Sequence, residues 1–329
     1  NVRAAATNPA MSIRSLNKPS TPASAAPTKL VSGEDVAIMI GLPVMAVIAW
    51  LAPERAWPGI SRALAPIYGY MPGGRKRELV GRIAGYLGAR EAAISPEAVV
   101  AEVVRVKIET ILQYLRHYRP GGWRPRIRID GRQHPAAGLE AGRGVILWVG
   151  HFVHHALVTK MAFHEADIDV SHLSHPRHGL SATRLGMRFL NPVLTGIEER
   201  FVDKRVMLAL DDAAAAMAEL RRTVENNGVV SITVRDIGRR PLEAPFLDGT
   251  IKLAAGAANL AYSSGAALLP VFTLADKDGG FRVAIEPPLE LAREAERGAA
   301  FARVARQYAA LLESYVLDHP DQWFGWSHL

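Results

Sequence analysis

The chain of 329 residues contains no cysteine. Disulfides, thiolate metal sites and a cysteine nucleophile are therefore excluded. Acidic residues are missing from the first thirty positions, which hold Arg3, Arg14, Lys18 and Lys29 among Ala, Ser, Pro, Thr and Asn. Such a segment has too little apolar surface to offset its own ordering, so 1–30 is expected to be a disordered basic arm. It also lacks the apolar stretch at the centre of a secretory signal. Long uncharged runs are scarce. One stands out, the seventeen residues 36–52, VAIMIGLPVMAVIAWLA. A spanning helix needs about 20 apolar residues, and this run carries Gly41 and Pro43 inside it. It reads as a single spanning helix, an interfacial anchor or a core helix. Trp50, Trp57, Tyr68 and Tyr70, followed by Arg75, Lys76 and Arg77, favour a bilayer interface. We expect 31–120 to be a helical, membrane-associating region.

Apolar residues form 49% of the chain, and the net charge is +7. A sizeable core is available, and the basic balance suits an acidic partner or anionic lipid. No nucleic-acid motif is found, so nucleic acid is not an expected partner. Ser95-Pro96-Glu97 is a helix start, with Ser as N-cap and Pro at the first helical position. The pattern of Val99, Val103, Val106, Ile111 and Leu115 carries that helix to about Tyr118. From about residue 121 short apolar strands alternate with helices: strands at 126–130, 144–149, 168–174, 229–234, 267–274 and 281–286, with helices at 154–165, 180–190, 211–226, 251–264 and 294–318. Leu194–Ile197 reads as a short strand and 235–250 as a loop. Asp278-Gly279-Gly280 is a hairpin turn. The fold class is α/β, with a mostly parallel central sheet flanked by helices.

Two strand ends carry the candidate chemistry. The run Val145-Ile-Leu-Trp-Val149 ends in Gly150 and delivers His151 to a strand's C-terminal edge, where open α/β sheets bind ligands. His154 and His155 follow. A metal site is not expected, because no Glu lies between His151 and His155 to make the zinc-protease pattern. The second strand end is Arg235-Asp236-Ile237-Gly238-Arg239-Arg240, followed by Pro245-Phe246-Leu247-Asp248-Gly249. Arginines there would hold phosphate or carboxylate through charge-assisted hydrogen bonds. His172, His175, Arg177 and His178 follow a third strand, and Arg184 and Arg188 lie one turn apart on the next helix; these are candidate anion contacts. His164 and Asp169 match a His-x4-Asp spacing, but they fall on different elements and are rejected as a pair.

Taken in order, these blocks resemble the lysophospholipid acyltransferase superfamily, and most closely its lipid A late acyltransferase branch. The resemblance runs over about 35–329. It rests on the apolar N-terminal segment, Gly150-His151-Phe152, Arg235–Arg239, Ala244–Gly249, Leu260–Phe272, Ile285–Leu289 and the tail His319–His328. It implies an enzyme at the cytoplasmic face of the inner membrane, held peripherally or by one anchor. Such an enzyme moves a fatty acyl group from an acyl carrier protein or CoA thioester to a hydroxyl or amine on a lipid-like acceptor. No cofactor is implied beyond the thioester co-substrate. By the resemblance His151 is the general base, Arg235, Asp236, Arg239 and Arg240, with Arg184, contact the substrates, and Phe246 and Gly249 border the acyl path. The family motif is His-x4-Asp/Glu, and here Ala156 stands in the acid position. Three readings remain open: His154, His155 or an acid from elsewhere such as Asp236 orients His151; the fold binds an acyl chain or carrier protein without turnover; or the protein is a membrane-associated scaffold.

Overall fold

The computed structural model describes residues 29–68, 73–208, 213–234, 241–292 and 296–329. The expected basic arm, apart from its last two residues, lies outside these. So do Arg235, Asp236, Arg239 and Arg240, and the Asp211-Asp212 helix start.

Four helices precede the sheet: α1 (Gly33–Leu51), α2 (Trp57–Tyr68), α3 (Gly73–Leu87) and α4 (Pro96–Arg116). Ser32 caps α1 in a reciprocal capping box with Asp35, and Ser95 caps α4 with Pro96 at its first position. The sheet region then runs β1 (Ile127–Asp130), α5 (Gln133–Glu140), β2 (Val145–Val149), α6 (Val158–Glu165), β3 (Val170–Ser174), α7 (Arg184–Phe189), α8 (Pro192–Glu198) and β4 (Lys204–Met207). It continues through α9 (Ala213–Glu225), β5 (Val229–Thr233), β6 (Leu242–Phe246), β7 (Gly249–Leu253), α10 (Gly256–Ser264), β8 (Ala267–Ala275), β9 (Phe281–Ile285) and α11 (Arg297–Asp318).

Seven strands form one sheet in the order β1-β9-β8-β2-β5-β3-β4. Neighbours are parallel except β8 and β9, which the Asp278–Gly280 turn joins as an antiparallel pair. The protein is therefore α/β with a mostly parallel sheet flanked by helices. Alternation along β2 sends Ile146 and Trp148 to the core beneath α9, α10 and α11, and Val145, Leu147 and Val149 to a second core on the other face. That second core also takes Ile38 and Met45 of α1, Trp57 of α2 and Leu112 of α4. The N-terminal helices thus share a core with the sheet.

Several segments differ from expectation, among them β4 and α5, which had no sequence signal. Leu194–Ile197 lies in helix α8 and not in a strand; Pro192 sits in its first turn, a helix-start signal that a four-residue apolar run obscures. The 235–250 loop and the first turn of the 251–264 helix contain a hairpin, β6–β7, paired antiparallel around Leu247-Asp248. The helix expected from His154 begins only at Val158, because 151–153 is tied to the C-terminal tail. Val153 donates its N–H to Gln322 O at 2.8 Å, and Phe324 donates to His151 O at 2.9 Å.

Candidate active site

Gly150 ends β2 where β8 passes closest. A Cβ built there would meet the Phe272 ring at 2.7 Å, and the Gly150 N–H donates to Val271 O at 2.7 Å. Only glycine fits this approach, and it turns the chain out of the sheet so that His151 emerges at the sheet's C-terminal edge.

His151 lines a cavity of about 820 Å³. α4 supplies Lys107, Thr110, Ile111 and Tyr114 to the wall, and the loop after β2 supplies His155 and Ala156. His172, His175, Arg177 and His178 follow from β3 and its loop, with Phe324 and His328 from the tail. The anion-contact cluster expected after β3 therefore faces the same space as His151.

The His151 ring is surrounded by other rings. His155 stands perpendicular to it at 4.8 Å between centroids, Phe324 meets it edge-on at 5.7 Å, and His328 stacks on it at 5.5 Å and 26°. The tail that sequence reading marked only as a resemblance block is a wall of the site.

The three clustered histidines do not converge. His154 is turned to the opposite side, where its Nδ1 lies 3.3 Å from Gln113 Oε1 and its ring rests on Phe281. His155 Nδ1 lies 2.5 Å from Phe152 O. A carbonyl can only accept, so Nδ1 carries the proton and Nε2 of the neutral ring is an acceptor. Burial lowers the pKa of both His154 and His155 to about 3, so both stay neutral near pH 7.

Near His155 lies a buried ionic cluster. Glu198 of α8 accepts from Lys160 Nζ, from Tyr114 Oη at 2.6 Å and from His178 Nε2 at 2.8 Å. Burial opposes the Glu198 charge, but His178 and Lys160 outweigh it and hold the carboxyl well below the usual carboxylate range. Lys160, Tyr114 and His178 line the cavity, while Glu198, which they hold, is buried beyond its lining.

The other expected contacts lie elsewhere. Phe246 is fully buried between Tyr86 and Trp323, outside the cavity lining. Gly249 lies against Tyr86, where a Cβ would come within 2.5 Å of the ring, so it serves hairpin packing. Arg184 is exposed on α7 and donates its backbone N–H to Lys29 O. Lys107, Tyr114, Lys160, Glu198 and Phe324 were not singled out as site residues from sequence. They lie far from His151 in the chain or inside apolar helical patterns, and only an unbroken apolar face interrupted by Lys107 could have flagged one of them.

The family model for bacterial lipid A biosynthesis acyltransferases matches residues 29–328. The chain belongs to that family. Acyl transfer, with an acyl donor and a lipid acceptor, is the reaction that membership in this lipid A acyltransferase family implies. No relative among curated proteins matches the chain. Family membership also accords with α1, which is apolar and long enough to cross a membrane. One face of α1 is packed on the body, and Asp35 at its start accepts from Ser181 Oγ at 2.6 Å and Thr183 Oγ1 at 2.8 Å. Its other face leaves Val36, Met39, Ile40, Val44, Val47 and Leu51 exposed, with Leu185 and Phe189 of α7 also exposed nearby in the fold.

Proposed function

We propose that this lipid A acyltransferase moves a fatty acyl group from an acyl carrier protein or CoA thioester to a hydroxyl or amine of a lipid acceptor. His151 is the general base. The observation that carries this reading is the position of His151: at the sheet's C-terminal edge, on the wall of a cavity large enough for both reacting groups. His151 takes the acceptor proton as the acceptor attacks the thioester carbonyl, and returns it to the departing thiol.

His155 does part of the work of the missing acid. Its Nε2 lone pair, fixed by the Nδ1–Phe152 hydrogen bond, is available to a neighbouring imidazole N–H. A neutral ring can orient a base but stabilises imidazolium less than a carboxylate does. The reaction takes place at the cytoplasmic face of the inner membrane, with the exposed apolar face of α1 set into the bilayer and the basic surroundings toward anionic lipid or an acidic carrier. Arg235, Asp236, Arg239 and Arg240 contact the substrates.

The test is thiol release from acyl-carrier-protein and acyl-CoA donors with hydroxyl and amine lipid acceptors. Turnover with at least one pair, and a drop of about 10²–10⁴ in His151→Ala, is expected. Tight acyl-chain retention with no turnover for any donor would instead identify a binding protein. Full turnover in His151→Ala would remove the base assignment. Ala156→Asp should raise the rate if the site is a weakened form of the motif; no change would show that His155 already fills the role.

A further inference from the structure

Beside the His151 cavity runs a second hollow, a groove of about 780 Å³ between α9 and α10. Met217, Gly256 and Asn259 line both, so groove and cavity adjoin at these residues. Small side chains keep the groove open: Ala214 and Ala218 of α9 face Gly256 of α10, where a Cβ would meet nothing closer than Met217 Cε at 4.0 Å. Both helices pack on the core that takes Trp148 and Phe272, whereas α1 packs on the core of the opposite sheet face. The groove therefore reaches the site from the side away from the apolar helix.

Two arginines line this groove and not the cavity. Arg221 lies one helical turn beyond Met217 on the same face of α9, about 6 Å further along. Its Nη2 donates to Ser263 Oγ at 2.7 Å, and Nη2 of Arg297, at the start of α11, donates to Asn259 Oδ1. Asn259 and Ser263 are themselves one turn apart on α10, so the two guanidinium groups are tied to a single strip of that helix. Arg297 also rests on the Phe301 ring, 5.2 Å from its centroid. Among the described residues that line the groove none is acidic. Glu225 lies 3.9 Å from Arg221, but both are half exposed, and water weakens such a pair. Glu296, next to Arg297, is taken up in capping α11 through the N–H groups of Gly298 and Ala299. Two planar cations oriented a turn apart by neutral partners suit a phosphate, which accepts paired N–H bonds from each.

We infer that this groove is the subsite for the phosphopantetheine arm of the acyl donor, with the arm's phosphate held between Arg221 and Arg297 and its thioester end passing Met217 into the His151 cavity. This rests on the acyl-transfer reading above. An acyl carrier protein and CoA both present the acyl group on this arm, an uncharged amide chain with a phosphate at its far end. Asn259 and Ser263 offer amide and hydroxyl groups to that chain. A lipid acceptor meets the cavity from the α1 side, where the wall at Gly179 and Leu180 continues into Ser181 and Thr183 on Asp35. Donor and acceptor thus reach His151 from opposite faces of the sheet. The phosphate is remote from the reacting carbonyl and is held equally before and during the reaction, so its contacts act on donor KM and not on kcat.

The experiment measures steady-state kinetics with lauroyl-phosphopantetheine, lauroyl-pantetheine, lauroyl-CoA and a lauroyl carrier protein. In the parent, loss of the phosphate between the first two should raise donor KM by about 10–100-fold. Arg221→Gln with Arg297→Gln should raise KM by a similar factor for the three phosphate-bearing donors. For lauroyl-pantetheine KM should stay within about threefold, as should kcat for every donor. The thermal midpoint should not move, because both arginines are exposed. Lysine at both positions should recover part of the loss. Ala218→Trp, which fills the groove and leaves the charges in place, should raise KM for all these donors. The inference is overturned if the parent does not distinguish the two pantetheine donors, or if the double variant weakens both equally. A rise for only one of CoA and the carrier protein would put the arginines on the carrier and not on the shared arm, and a rise in acceptor KM would give the groove to an acceptor phosphate; each overturns it. If the parent turns over, depends on His151 and neither variant alters donor KM, the functional reading stands and this inference alone falls. If the parent turns over no donor, the functional reading falls, and calorimetric binding of lauroyl-phosphopantetheine decides the groove by itself: binding that the double variant loses supports the subsite, and no binding or equal binding overturns it.

Discussion

Around His151 the protein buries Lys107, Lys160 and Glu198, while along α1 it leaves Met39, Ile40, Val47 and Leu51 exposed. The two regions invert the ordinary distribution of side chains in opposite senses. A buried charge must be matched by partners inside the fold, and Glu198 is matched by Lys160, Tyr114 and His178. An exposed apolar strip is matched by nothing within the described residues. The first is a charge cluster paired within the fold; the second is a surface whose composition suits something apolar outside the protein. The two are linked through the chain, since the segment leading from the cavity wall at Gly179 and Leu180 continues into Ser181 and Thr183, which hold Asp35 of α1.

The contrast predicts that the two regions fail differently. The largest effect is expected at the buried cluster. Glu198→Ala leaves the Lys160 ammonium unpaired and should destabilise the fold by about 3–5 kcal/mol in denaturant titrations, whereas Lys160→Met with Glu198→Leu should cost much less. Equal losses in the two would show that packing and not charge pairing dominates there. On α1, Ile40→Ser with Val47→Ser should leave stability within about 0.5 kcal/mol, because both side chains are already exposed. Their partition to anionic vesicles should fall by about 100-fold, corresponding to about 1.5 kcal/mol for each lost apolar contact. Unchanged partition would break the membrane side of the comparison.

Asp35→Ala tests the junction. It removes the carboxylate that accepts from Ser181 and Thr183 and should cost about 1–3 kcal/mol, with amide exchange rising first at the start of α1. Exchange rising evenly over the whole chain would instead make α1 part of the global folding unit. The smallest effect, taken per group and per pH unit, is a pH dependence. The folded-state pKa values of His154 and His155 are near 3 and that of His117 near 4, in each case chiefly through burial. The unfolded chain therefore takes up protons below about pH 6.5 that the folded chain refuses. Stability should be full above that pH and decline as pH falls toward 4, by up to about 1.4 kcal/mol per unit for each such histidine. A melting midpoint that is flat from pH 7 to 5 would show that these rings gain partners on protonation.

Much of the fold could be read from the sequence where local signals agree with the final structure. The apolar run 145–149 closed by Gly150, the Ser95-Pro96 helix start and the Asp278–Gly280 turn each specify their element within a few residues. Reading failed where the deciding partner is distant. β6 and β7 are short, and their stability comes from pairing with each other and from α11 and Trp323 covering Phe246. The Ala-rich stretch after Ile251 looks helical from its first residue because nothing local marks the strand. β4 is an edge strand with one buried residue, Val206, too faint a pattern to register.

The sequence by itself determined that a buried strand hands His151 to the sheet edge and that one apolar segment precedes the α/β region. These follow from composition and from spacings of a few residues. Only the tertiary structure decided that His154 and His155, adjacent in the chain, face different environments, that Glu198 is held by Lys160, Tyr114 and His178, and that Lys107 and His151 share the Phe324 ring. The reason is physical: side-chain direction in a turn is set by what the turn is tied to. Here that is the tail at Gln322 and Phe324, more than 160 residues away in the chain and touching His151 and Val153 through backbone hydrogen bonds.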